Sequence, residues 1–127
     1  MSAPATFPRS ARLLHPRDFA RLREGSRRVG SANFSAQVGS AEAAEPRLGL
    51  AVSRRVSKRA VRRNRIKRIA RDSFRRHRTD LPPCDVLVIA RASADAQDNA
   101  SLHAELATLW RRIAALNAAG GTGTMRG

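Results

Sequence analysis

Hydrophobic residues are spaced in three different ways along this 127-residue chain, and each spacing predicts a different element. Towards the C-terminus Leu102, Leu106, Leu109, Ile113 and Leu116 step by three and four, lining one face of a helix. Trp110 widens that stripe, so the indole is expected in the core rather than as a platform for a nucleic-acid base. Asp85–Ala90 is a short, continuously apolar run, rich in β-branched residues and introduced by Pro82-Pro83, as expected of an interior strand. Apolar and polar residues roughly alternate from Ala32 to Gly39, and Leu48, Leu50 and Val52 share one face of the segment Arg47–Ser53. With Ala41–Glu45 as connecting loop, these two segments are expected to form a hairpin-like pair. A first helix is predicted from Pro16, which suits the first helical position, to near Gly25. Residues 1–11 and 117–127 are rich in small residues and Pro without periodicity, so both are expected to be mobile around a single domain at 12–116. The order is that of an α+β domain.

The middle of the chain needs a helical wheel. With Ile66 at zero and 100° per residue, Ile69, Ala70, Ser73 and Phe74 fall within about 80° of it, a face that docks. Asn64, Arg65, Lys67, Arg68, Arg71 and Arg75 take the other side. Val61 falls among these charges, which predicts an irregular helix start around residues 57–61. Thirteen of the chain's 25 Lys and Arg residues lie between Arg54 and Arg78, opposed there only by Asp72. Surface helices normally mix signs and form i,i+4 pairs; a face with almost no acidic partners implies a polyanion that neutralises it.

Composition sharpens that reading. The formal charge is +15, far beyond what solubility needs, and 42% hydrophobic content suffices for one core. No apolar run approaches a membrane span and the N-terminus lacks the apolar core of a signal peptide, so a cytoplasmic protein without membrane association is expected. Cys84 is the only cysteine and opens an apolar strand, which suits a small buried hydrophobe better than a nucleophile. Arg outnumbers Lys 23 to two, and the planar guanidinium grips phosphate through two hydrogen bonds and stacks on bases. GC-rich codon usage would produce the same bias. His15, His77 and His103 stand apart, and no paired carboxylates, Gly-rich phosphate loop or nucleophile-base spacing surrounds them. An independent metal-dependent nuclease would need a carboxylate cluster, and a DNA-binding regulator would need helix-turn-helix geometry and usually a dimer seam. Neither pattern is present; a basic ribosomal-type RNA-binding protein needs only what is, and stands as the alternative.

The residues also carry a family resemblance. The segment Ala60-Val61-Arg62-Arg63-Asn64-Arg65-Ile66-Lys67-Arg68-Ile69-Ala70-Arg71, preceded by Arg47-Leu48-Gly49-Leu50-Ala51-Val52-Ser53-Arg54-Arg55, resembles the signature of the protein subunit of bacterial ribonuclease P. A weaker likeness runs from about Phe7, through Leu13-Leu14 and Asp18-Phe19, to Leu109-Trp110-Arg111-Arg112. The resemblance implies a small mixed β-sheet flanked by helices, in the order α-β-β-(β)-α-β-α, with a left-handed βαβ crossover against the usual right-handed preference. It implies that a catalytic RNA, using Mg²⁺, removes the 5′ leader of precursor tRNA, while the protein binds no cofactor, cuts nothing alone and needs no obligate protein partner. Arg63, Asn64, Arg65, Lys67, Arg68 and Arg71 would hold the catalytic RNA. Phe19, Phe34, Ser53, Arg54 and Arg55 would line a cleft for the single-stranded leader of precursor tRNA. Arg23 and Gln37 stand where family members often carry aromatics, which shifts the expected leader binding towards charge.

Overall fold

In the computed structural model, which describes Leu22, residues 27–40 and residues 45–122, the chain builds a four-stranded sheet and two long helices. The elements are β1 (Arg27–Gly30), β2 (Phe34–Ser40), β3 (Arg47–Ala51), α1 (Ala60–His77), β4 (Cys84–Ala90) and α2 (Asn99–Thr122), with single 3-10 turns at Arg78–Asp80 and Ala92–Ala96. The sheet order is β1-β2-β4-β3. β2 runs antiparallel to both β1 and β4, whereas β3 and β4 are parallel. This is the mixed sheet of an α+β fold.

β4 is central because it is apolar on both sides. Val86, Val88 and Ala90 point to one face with Phe34, Ala36 and Val38 of β2 and Leu48 of β3, where Ile66, Ile69, Ala70 and Phe74 of α1 and Leu102, Leu106, Leu109, Trp110 and Ile113 of α2 cover them. Leu87 and Ile89 point to the other face, against Leu22 and Ala51. Leu22 is helical, consistent with the helix expected from Pro16, whose remaining residues lie outside the described ones, as do Phe19 and Arg23. Gly39 permits that approach: a Cβ there would stand 2.8 Å from Leu22 Cδ2.

The structure corrects three expectations. The two segments expected as a hairpin do not pair, since β4 lies between β2 and β3. A strand read singly shows which face it buries, not which neighbour it takes, and the doubly apolar β4 takes an interior position between β2 and β3. β1, with only four residues and two of them Arg, carries too little alternation to be seen beforehand. The irregular start expected around residues 57–61 is confined to the turn at 57–59: helix α1 runs from Ala60, and Val61 is exposed, at 70%. Phe34 is 1% exposed inside the helix-covered core. Side chains alternate along β2, so Phe34 shares a face with Ala36 and Val38, and the leader-facing role expected for it does not hold. Helix α2 also continues to Thr122, beyond the boundary drawn at 116.

The two helices meet along a specific seam. Trp110 Nε1 donates to Ser73 Oγ at 2.8 Å, and the Phe74 and Trp110 rings lie edge to face with centroids 5.5 Å apart, worth about 0.5–1.5 kcal/mol beyond the area buried. The indole is thus a core residue, as its spacing predicts. Within the sheet the Asp85 carboxylate, fully buried, accepts from Arg47 Nε at 2.9 Å and Nη2 at 2.8 Å across the β3–β4 register. Helix α2 holds the β1–β2 turn through Glu105, which accepts from Asn33 N at 2.7 Å, Asn33 Nδ2 at 2.6 Å and Ser31 Oγ. Partial burial pushes the Glu105 carboxyl up, but the hydrogen bonds from Ser31 and Asn33 and the Arg91 charge together hold it below its ordinary value.

Two outcomes follow for stability. Phe34→Ala should destabilise the fold by about 3–5 kcal/mol, the usual range for emptying a buried phenyl site, as read by chemical denaturation. A destabilisation below 1 kcal/mol would place the ring outside the core. For Glu105 the folded state favours the charged form. Its contribution is therefore full above the ordinary glutamate value of 4.5 and is lost as pH falls through the lower folded value. Denaturation across that acid window should show a shallower pH dependence in Glu105→Gln than in the parent chain.

Candidate nucleic-acid interface

Helix α1 enters from β3 through a short basic turn. Ser53 shapes it: its carbonyl accepts from Val56 N at 3.0 Å and its Oγ from Arg55 N at 3.2 Å. Val56, 6% exposed, anchors the turn in the core and leaves Ser53, Arg54 and Arg55 exposed. Arg54 and Arg55 meet no carboxylate among the described residues. A second turn follows, in which Ser57 Oγ accepts from Arg59 N at 3.2 Å, and the helix begins.

The buried residues of α1 are Ile66, Ile69, Ala70, Ser73 and Phe74, the set the wheel selects. Docking that face leaves Asn64 and Arg68 exposed, with Lys67 and Arg71 half-buried beside them. The flanks are different. Arg63 Nη1 donates to the Ser57 carbonyl at 3.0 Å, bracing the entry turn. Arg65 leaves the outward face: Nη1 donates to Asn99 Oδ1 at 2.6 Å, and Nη2 to the carbonyls of Gln97 at 3.1 Å and Asp95 at 3.3 Å. Its Nε is buried without a partner. The expected group of six thus divides: Asn64, Lys67, Arg68 and Arg71 form one surface, Arg63 borders it, and Arg65 is drawn into a clamp on the loop before α2.

Arg62 completes that clamp, a role its sequence position leaves half-visible. It lies about 40° from Ile66 on the wheel, at the border of the docked face. Its Nε donates to Asp95 Oδ1 at 2.6 Å and its Nη2 to the Asp95 carbonyl at 2.8 Å. The missing information was Asp95, thirty-odd residues away in sequence. The same loop caps α2, where Asp98 Oδ1 accepts from Ser101 N at 2.7 Å. That bond is the main reason the Asp98 carboxyl sits below its ordinary value.

Acidic groups near α1 are engaged. Asp72 pairs with Arg75 and with Arg76 at 3.2 Å, and its other neighbour is His103 Nε2 at 4.0 Å. His77 Nδ1 lies 2.9 Å from the Ser73 carbonyl. Among the described residues no cluster of His, Cys, Asp and Glu is placed to hold a metal ion, and no helix is long and apolar enough to cross a membrane. On the opposite side of the sheet from α1, Gln37 is buried next to Leu87 in the β2–β4 pair, with Oε1 unpartnered. All three aromatic side chains in the described region are at most 1% exposed: Phe34, Phe74 and Trp110. What this surface offers is phosphate binding by cations, without base stacking from those rings.

Comparison with known proteins bears on the partner. A family model described as Ribonuclease P matches residues 7–114. The chain is 39% identical over 113 residues to the ribonuclease P protein component of Thioalkalivibrio sulfidiphilus, spanning 89% of this chain and 94% of that one. It is 42% identical over 111 residues to the corresponding component of Halorhodospira halophila, spanning 87% and 91%. Among solved structures, the Staphylococcus aureus RNase P protein superposes with a TM-score of 0.76 at 30% identity, covering 82% of this chain and 94% of that chain. The Thermotoga maritima RNase P protein does so with a TM-score of 0.73 at 29% identity, covering 80% and 96%.

The division of α1 yields a paired expectation. Arg68→Ala should leave the fold intact and lower the slope of log affinity against log salt for RNA by about one, the loss of one phosphate contact. Arg65→Ala should instead lower the melting temperature, because it frees the carbonyls of Asp95 and Gln97 and loosens the start of α2. An Arg65→Ala chain of unchanged stability and a reduced salt slope would return this residue to the RNA surface.

Proposed function

Because this chain belongs to the ribonuclease P protein family and acts as the protein component of that ribonucleoprotein in tRNA 5′ maturation, we propose that α1 is the surface that holds the catalytic RNA. The observation that carries the proposal is the outward face of α1, where Asn64 and Arg68 stand exposed, flanked by Lys67 and Arg71, directly after a basic turn. Guanidinium forks and an ammonium on one rigid helix can each grip a backbone phosphate and read shape rather than sequence. A basic ribosomal-type protein is not favoured, since it has no need for the Ser53-Arg54-Arg55 turn joined to this helix.

The turn is the second part of the proposal. Ser53, Arg54 and Arg55 lie at the end of β3 beyond the sheet face that carries Gln37, Leu87 and Leu22. Single-stranded leader nucleotides of precursor tRNA would follow that end of the sheet, their phosphates met by Arg54 and Arg55. With Phe34 in the core, charge rather than base stacking is the dominant attraction from the described residues, in keeping with a protein that accepts many leader sequences. Mg²⁺ chemistry belongs to the RNA in this reading. The carboxylates that meet α1, Asp72 and Asp95, face Arg75, Arg76 and Arg62 and would need to release them to bind a cation.

Precursor-tRNA cleavage tests both parts. RNA-free protein should show no cleavage, and the catalytic RNA alone should cleave poorly at low Mg²⁺ and recover when the protein is added. Arg54→Ala should lose more of that recovery with a leader of several nucleotides than with a leader of one. Cleavage by the protein alone would overturn the assignment of chemistry to RNA, and equal losses on the two leaders would remove Arg54 from the leader path.

A further inference from the structure

Positive charge also gathers at the edge of the sheet farthest from β3. β1 is an edge strand of the described sheet, and its Arg27 and Arg28 are exposed, with neither a side-chain hydrogen bond nor an ion pair among the described residues. Alternation sends Arg27 to the face of Val29, where the helices lie, and Arg28 to the opposite face. Two more guanidinium groups reach the end of the same strand from elsewhere in the chain. Arg112 of α2 donates through Nη1 to the Gly30 carbonyl at 2.6 Å, and Arg91, just after β4, donates through Nε to the Ser31 carbonyl at 3.2 Å. Gly30 makes room, since a Cβ there would stand 3.2 Å from Arg91 Nη2. Each of these two arginines keeps most of its five N–H donors for an outside acceptor. Among the described residues, the nearby carboxylate of Glu105 is already occupied by Ser31 and Asn33.

We propose that the β1 edge, through Arg27, Arg28, Arg91 and Arg112, is a second RNA-binding surface that takes the phosphate backbone of a double-helical segment of the catalytic RNA. The inference rests on the ribonuclease P reading, which supplies the folded RNA. Cations on both sides of one projecting strand can reach the two backbones that border a groove, a form of recognition by shape and phosphate that duplex RNA offers. Single-stranded RNA is favoured by exposed aromatic rings, and those of the described region are buried. In the order β1-β2-β4-β3 the two sheet edges lie about 14 Å apart, three strand spacings. Helix α1 packs over the β3 side and α2 over the β1 side, so the two surfaces grip separate parts of the RNA and the protein bridges them.

The experiment is equilibrium binding of the full chain to the catalytic RNA across a range of salt concentrations. Arg27 and Arg28 are the residues to change, since their side chains bond to nothing among the described residues. The double variant Arg27→Ala, Arg28→Ala should keep its circular dichroism and lose about two from the slope of log affinity against log salt, about 0.9 per phosphate. The double variant Arg27→Lys, Arg28→Lys should recover most of that loss. In the holoenzyme, the preference for a precursor with a leader of several nucleotides over one with a single nucleotide should not change. A slope equal to that of the parent chain overturns the proposal, and so does a loss seen only with the longer leader, which would assign the edge to single-stranded RNA. Failure of the parent chain to bind the catalytic RNA would instead overturn the family reading from which the proposal starts.

Discussion

Everything in this fold depends on burying β4 on both of its faces. A strand that is apolar on either side needs a layer above and a layer below, and it needs strands on both edges to satisfy its backbone. Here β2 supplies one edge and β3 the other, the two long helices form one layer, and Leu22 marks the other. Because β3 and β4 are parallel, the chain must cross over between them, and α1 is that crossover. The basic helix is therefore held by its apolar side in the centre of the domain, not attached to it as an arm. Its outward face is backed by the sheet, so its cationic side chains project from a support of fixed shape.

The same design explains how a chain with a formal charge of +15 remains compact. Its arginines do different work according to where the fold leaves them. Arg47 is bonded to the buried Asp85, and Arg62 and Arg65 tie α1 to the loop that precedes α2. Removing one member of a buried pair such as Arg47–Asp85 typically costs about 3–5 kcal/mol, because a charge is left without its partner. Other arginines, on α1 and on β1, face water. Mutual repulsion among them is tolerated in the free protein and relieved by phosphate, so the folded domain and the RNA complex favour each other electrostatically.

Much of this was legible in advance wherever a local period carried the information. The docked face of α1, the stripe along α2 and the interior character of β4 all follow from the spacing of apolar residues, and each was found where the spacing puts it. The functional class was legible too, because the run from Arg47 to Arg71 holds a strand, a turn and a helix whose residue types are specific together. Single side chains were harder. Arg65 looks like its neighbours on a wheel, and only the carbonyls of Asp95 and Gln97 show that it serves the fold.

By itself the sequence determined the α+β class, the two faces of α1, the core placement of Trp110 and the polyanionic partner, since hydrophobic period and charge density are local properties. Tertiary structure alone decided that β4 separates β2 from β3, that Phe34 faces the helices, and that Arg27, Arg28, Arg91 and Arg112 converge on one edge. These depend on which strands become neighbours and on which face each residue meets, and pairing brings together groups from distant parts of the chain. Burying β4 on both faces is the global requirement that selects the pairing, and no local segment contains it.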